Sequence, residues 1–516
     1  MSDLMKLLIV VPCCFFLTAL IKFLYDFLWM PLRIQHMMNS QGIRGPPYRF
    51  FHGNNKQVAQ MKLEASVKPM ALTHDIFPTV QPHIYSWINT YGKNYLFWNG
   101  AQAELVITEP ELAKEILKNT ENAFPKRKPT PYNSKILGKG LASAEGEKWV
   151  KLRKLANHAF HGQSLKNMTP AVISSVETML ERWKGQEGKE MDVHHEFRLL
   201  ASEVISRTAF GSSYMEGEKI FNMLTKLSVI VMRNLYKTRI PFISKFWKTA
   251  DLVEAEALVK VVNDCVMEMV KKREDKVVNG EADSFGHDFL GLLVNAYHDL
   301  DETKRLSFED LVDECKTFYF AGQGNIPSLL AWTVLLLSIH RDWQEKARRE
   351  VMEIFGDQNP HPEGIAKLKT MSMIINETLR LYAPANALPR EVARKVQLGK
   401  LVLPANMNIL VLDIAFHHDP QLWGDDVHLF KPERFADGIA KATKYNAAAF
   451  VPFGLGPRFC VGMTFAVTET MVALSMILQR YAMTLSPAYV HRPVHIMTLR
   501  PQHGVQVVLQ PLHKHA

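Results

Sequence analysis

The sequence predicts a mainly α-helical protein with small peripheral β-sheets, carried behind an N-terminal membrane anchor. Three observations lead there. An apolar run opens the chain, and apolar residues recur at three- and four-residue spacing through most segments beyond residue 110. Short strand-like stretches bounded by Gly, Asn and Pro occur before residue 110 and again after residue 395. Of the 516 residues 47% are apolar, enough for a large core and far from a disordered composition.

The anchor comes first. LMKLLIVVPCCFFLTALI, residues 4 to 21, is apolar except for Lys6 and Thr18, and FLYDFLWM follows Lys22. Together they approach the length of a bilayer span. A cleaved signal peptide is the rival reading; a single leading lysine and the lack of a good cleavage site count against it. Lys22, Arg33, Arg44 and Arg49 follow the apolar run, against only Lys6 before it, which places the body on the cytoplasmic side. Residues 1–30 are read as the anchor and 31–55 as a joint stiffened by Pro46 and Pro47. Residues 56–516 are read as one body, with no repeat or low-complexity break.

Within the body, NYLFWNG and AELVITEP read as strands. EGEKWVKLRKLANHAF, the region around MDVHHEFRLLASEVISRTAF, and DLVEAEALVKVVNDCVMEMVKKRED read as helices. Ser307 with Asp310 marks the capped start of a longer helix containing FYFAGQGNIPSLLAWTVLLLSIH. Pro327 sits near its middle, where a proline costs about 3 kcal/mol if nothing compensates. DWQEKARREVMEIF and LKTMSMIINETLRLYAP continue the helical pattern. Strand signals return in VQLGKLVLP, ILVLDIAFHHDP and HIMTLRPQHGVQVVLQP.

The net charge is +9. No arginine-rich arm or basic stripe interleaved with aromatics accompanies it, so nucleic acid is excluded as the partner. A dispersed excess fits an acidic protein partner or an anionic membrane face. Five widely spaced cysteines (Cys13, Cys14, Cys265, Cys315 and Cys460) argue for a reducing compartment, and the lack of a Cys-x-x-Cys pair argues against zinc. His194-His195-Glu196 lacks the spacer of a zinc protease helix, His417 and His418 belong to a structural turn, and His513 and His515 to a solvated tail.

Cys460 has different surroundings, in FVPFGLGPRFCVGMTFAVTETMVALSMILQRY. A cysteine at a helix start lies near the positive end of the dipole and near unpaired N–H groups, which favour thiolate. Glycines on both sides let the backbone pass close to something flat, and Arg458 would reach an anionic group on it. Phe453, Gly456, Arg458, Cys460 and Gly462 form a pattern that resembles the haem-binding loop of the cytochromes P-450. In that family the cysteine thiolate is the axial iron ligand. Five fixed positions of this kind would coincide by chance in well under roughly one chain in a thousand of this length.

Other marks of the resemblance follow in order. Glu377 and Arg380, one helical turn apart, with Arg434 downstream, match the family's Glu–Arg–Arg network, which locks the core behind the haem. The same spacing recurs at Glu345 and Arg348, read as a solvated surface pair. Trp149 and Arg153 match a Trp-x-x-x-Arg helix that meets a haem propionate, and Arg390 resembles a further propionate partner. With Arg458 they make three cations for two carboxylates. QGIRGPPYRFFHGN and LFKPERF look most like the plant clan that modifies gibberellins, brassinosteroids and other terpenoids. The resemblance implies haem b and electrons from an NADPH-dependent flavoprotein reductase with an acidic docking face. It also implies a single pass through the endoplasmic reticulum membrane, a cytoplasmic catalytic domain, and monooxygenation of an apolar small molecule.

One departure stands out. Ala321 and Gly322 fit the family's oxygen-site helix, but Gly324 stands where it has an acid and Asn325 where it has a threonine. Those two groups organise water for proton delivery. In their place, Asn325 and the Gln323 carbonyl that Pro327 leaves without a donor are read as holding that water, at a kink. Gly322 and Gly324 are read as making room for dioxygen. The missing pair keeps two alternatives open: a haem–thiolate isomerase acting on hydroperoxides, and a degenerate haem-binding protein.

Overall fold

The computed structural model describes residues 3–212, 214–235, 237 and 248–512. Helix Asp3–Leu24, a π-helical turn at Tyr25–Trp29 and helix Met30–Ser40 follow one another without a break. From Val10 to Ser40 this run is long and apolar enough to cross a membrane, and none of its most apolar window is buried. The helix therefore outlasts residue 30, where the sequence reading began the joint. Pro31 falls in the first turn after the π-helical stretch, where a missing N–H costs least. The carbonyl four residues back, Phe27, accepts the Tyr48 hydroxyl instead. Pro46 and Pro47 lie in the irregular stretch that follows, ahead of helix Asn55–Val67.

The body is organised around the central helix Phe308–Ile339, buried along most of its length. Its start carries the expected capping box between Ser307 and Asp310. Helices Val193–Phe210, Tyr214–Asn234, Lys369–Leu381 and Met463–Arg480 pack against it. Off to one side, a four-stranded sheet runs in the order Tyr95–Asn99, Gln102–Ile107, Asn408–Val411, Leu388–Glu391. Its inner pair is parallel, with Ile107 opposite Val411. The fold is mostly helical with small sheets, as predicted.

Two local readings change. ILVLDIAFHHDP is a strand only as far as Val411; Asp413–His417 is a short helix. All five of its residues are buried, which a half-covered strand does not allow. Arg348, read as a surface cation, is buried, although Glu345 beside it is exposed. Its guanidinium donates to the Leu478 and Tyr481 carbonyls at 3.1 and 2.9 Å. Those are carbonyls at the end of helix Met463–Arg480, which need donors from outside the helix.

Candidate active site

The geometry is best built outward from the buried charges. Glu377 and Arg380, one turn apart on helix Lys369–Leu381, pair at 2.8 Å with both side chains fully buried. A buried pair needs its remaining polar atoms satisfied. Here Lys431 N–H donates to Glu377, the Arg380 guanidinium donates to the His417 carbonyl, and Arg434 lies 3.4 Å from Glu377. Arg434 also meets Asp426 at 2.6 Å. His417 carries the order onward. Burial, with Arg380 nearby, holds its pKa down to about 3, so its Nε2 is free to accept the Val451 N–H.

Val451 leads into the loop of Cys460. The Cys460 N–H donates to the Phe453 carbonyl at 2.8 Å and closes the loop. Gly454 and Gly456 hold positive φ there, and a Cβ at Gly456 would strike the Leu117 carbonyl at 2.3 Å. Only glycine fits that approach. Cys460 itself is exposed, although it immediately precedes a core helix. Protein mass around it raises the thiol pKa by burial, against the lowering effects of the Gly462 N–H and the Arg153 charge.

Around the loop the structure gathers cations. Arg458 stacks on the Trp149 ring at 4.2 Å and pairs with Glu145 at 2.5 Å. Arg153 stacks on Phe459 at 4.6 Å and donates to the Phe459 carbonyl at 2.7 Å. Arg390 is buried, and burial, then Arg458, lower its pKa to about 10. Lys126 adds a cation that the sequence reading did not single out. It is bridged through its backbone to Arg390, and burial, then Arg390 and Arg458, depress its pKa to about 7. Four cations thus converge with one carboxylate, Glu145, among them. A thiol, a flat approach over glycines and a surplus of positive charge form a donor set that fits a planar dianion carrying a soft metal ion.

The central helix is the neighbouring wall. Phe160 stacks on Phe318 at 5.1 Å and meets Phe465 edge-on at 5.6 Å, tying that helix to the one after Cys460. One turn beyond Phe318, Ala321 is exposed in the midst of buried residues. Asn325, half-buried, donates its Nδ2 to the Ala321 carbonyl at 3.1 Å, and the helix continues through the buried Pro327. Gly322 and Gly324 do not open toward this face. A Cβ at Gly322 would lie 3.0 Å from Ile205, and one at Gly324 would lie 3.2 Å from Thr498. Gly322 therefore serves close packing with helix Val193–Phe210, and Gly324 faces the C-terminal hairpin formed by Pro493–Ile496 and Thr498–Pro501.

Comparison with known proteins agrees with this architecture. A family model described as cytochrome P450 matches residues 80–509. "Cytochrome P450 CYP749A22" of Panax ginseng is 55% identical, covering 97% of this chain and 96% of its own length. The chain belongs to the cytochrome P450 family. Two further relatives, each 39% identical and covering 94% of this chain, are the "7-deoxyloganic acid hydroxylase" of Catharanthus roseus and the "11-oxo-beta-amyrin 30-oxidase" of Glycyrrhiza uralensis. They cover 95% and 94% of their own lengths. This P450 is an oxidoreductase, and its family implies a haem cofactor.

The structure brings Trp149, Arg153, Arg458 and Cys460 into one cluster with Arg390, and Glu377, Arg380 and Arg434 into another. The residues missed are Lys126, Glu145 and His417. Lys126 lay in a stretch whose run of cations was the available signal; Glu145 and His417 acquire their partners only through the fold.

Proposed function

We propose that this P450 is a membrane-anchored monooxygenase that hydroxylates an apolar terpenoid-like molecule, with Cys460 as the ligand of a haem iron. The carrying observation is an exposed cysteine in a recessed loop, flanked by cations that outnumber the acids beside them. When bound, haem b supplies the activation of dioxygen, with electrons from an NADPH-dependent flavoprotein reductase. The protein's part is positional. Arg153, Arg390, Arg458 and Lys126 hold the propionates, with Trp149 fixing the Arg458 plane. Glu377, Arg380 and Arg434 keep the cysteine loop in register from behind. Asn325 commits its Nδ2 to the Ala321 carbonyl, which leaves Oδ1 to accept from a water beside the carbonyl of Gln323. That water stands in for the absent acid and threonine.

The anchor crosses the endoplasmic reticulum membrane once, and the body from the irregular joint onward forms one cytoplasmic catalytic domain. The named relatives are a hydroxylase and an oxidase, which favours oxygen chemistry over hydroperoxide rearrangement or an inert relic. Expression with a plant reductase tests the reading. A haem–thiolate band for the reduced carbon monoxide complex and NADPH-dependent hydroxylation of a terpenoid are expected. A protein that takes up no haem sinks it.

A further inference from the structure

On the flank of the central helix beside the Ala321–Asn325 face lies a cavity of about 60 Å³. Arg198 of helix Val193–Phe210 and Arg500 of the C-terminal hairpin both line it. Among the described residues neither guanidinium has an ion pair or a hydrogen bond, although the two are close enough for Arg198 to oppose the charge of Arg500. Two half-buried arginines are normally placed against acids. The polar Thr225, Ser228 and Gln323 and the apolar Val229, Phe320 and Ile496 also line the space, together with His194. His194 is buried, and burial, then Arg198 and Arg500, hold it to a pKa of about 3, so it adds no charge. Asp192, two residues earlier, accepts from the N–H groups of His194 and Val505.

Gly324 completes the case, because it lines the same cavity and its missing side chain would enter beside Thr498. An acid at position 324 would therefore bring its carboxylate toward the two arginines. This chain places two cations at the cavity and a glycine between helix and hairpin at position 324.

We propose that this cavity is a carboxylate-binding site, with Arg198 and Arg500 gripping an anion that the chain does not supply. The shared chemistry is a carboxylate. It comes either from the substrate, whose apolar body then extends along the Ala321–Asn325 face, or from a free small acid. The anion site stands on its own geometry; only its assignment to substrate rests on the proposed function.

The test uses full-length haem-loaded protein in detergent. Sodium acetate, against sodium chloride at equal ionic strength, is expected to raise the unfolding midpoint of wild type and to do nothing for Arg198→Gln or Arg500→Gln. Gly324→Asp supplies the carboxylate internally, so it is expected to raise the midpoint by itself and abolish the acetate response. That variant also covers the case in which an arginine variant fails to fold. No acetate effect in wild type, or an effect that survives Arg500→Gln, overturns the proposal. A spectral titration with oleanolic acid and its methyl ester then identifies the source. Binding of the acid roughly tenfold tighter, with the preference lost in Arg500→Gln, assigns the site to substrate. Equal binding alongside a positive acetate response assigns it to a free acid. A normal carbon monoxide band without the acetate effect removes the anion site alone; an acetate effect without that band removes the haem reading alone.

Discussion

Behind Cys460, Glu377 and Arg380 pair at 2.8 Å in complete burial, and neighbouring backbone groups take up their spare hydrogen bonds. On the flank of the central helix, Arg198 and Arg500 share a cavity that has no acid among its described lining residues, beside Gly324. The first region is closed on itself. The second is open to something from outside. A satisfied buried network holds a fixed geometry, whereas an unmatched set of charges is arranged for an incoming group. On this view the cysteine side sets how the cofactor is held, and the helix flank sets what is recognised.

The contrast is broken most severely at the sulfur. Cys460→Ser is expected to remove the carbon monoxide signature and all turnover. It should leave the folding of the haem-free chain nearly untouched, because the residue is exposed. Purified variant protein with a normal carbon monoxide spectrum would disprove the ligand assignment. Next in size is the brace. Arg380→Met leaves Glu377 charged and buried, and breaking such a pair costs about 3–5 kcal/mol. Urea unfolding should show that loss together with poor haem retention, since the same guanidinium orders His417 and, through it, the Val451 backbone at the entry to the cysteine loop. A loss under about 1 kcal/mol would mean that the network is ornamental.

A smaller effect sharpens the other side. Asn325→Ala removes the amide on the Ala321 carbonyl without touching the core, so stability should change little. Product formed per NADPH consumed is expected to fall on the order of tenfold, less than the hundredfold or more of a full general acid. Asn325→Thr should recover most of it. Unchanged coupling in the alanine variant would show that the water is held by backbone alone.

The same contrast explains what could be read from the sequence. The cysteine loop, the Glu377–Arg380 pair and the Ser307–Asp310 cap are local patterns whose spacing already carries their geometry. The helical segments were legible for the same reason. The close approach of Gly322 to Ile205 and of Gly324 to Thr498 is not legible in the sequence, because those partners lie more than a hundred residues away in the chain. Arg348 looked like a surface ion pair because nothing near it in sequence shows that it caps the carbonyls of a helix 130 residues on. The Tyr48 hydroxyl that reaches back to the Phe27 carbonyl, opposite Pro31, is likewise not visible in local spacing. Local spacing reports what a segment can do; the partners brought by the fold decide what it does.

Glu314 offers the mildest test, and it lies on the central helix itself. Its carboxylate accepts the Leu141 N–H and so ties the helix to the loop ahead of helix Gly146–Ala159, while its buried Oε2 has no hydrogen-bond partner among the described residues. Burial raises its pKa from 4.5 to about 8, with the Leu141 N–H and Lys148 pulling the other way. Between those two values the folded protein holds a proton that the unfolded chain has released. Stability from this group is thus complete below pH 4.5 and is lost as pH rises through about 8. Glu314→Gln keeps an acceptor for Leu141 and never ionises. It is expected to match wild type in urea at pH 4 and to exceed it by a growing margin up to pH 8.5, with faster amide exchange at Leu141 in wild type at the higher pH. If both proteins lose stability equally over that range, Glu314 is already ionised in the fold, and this part of the central helix has a counter-charge after all.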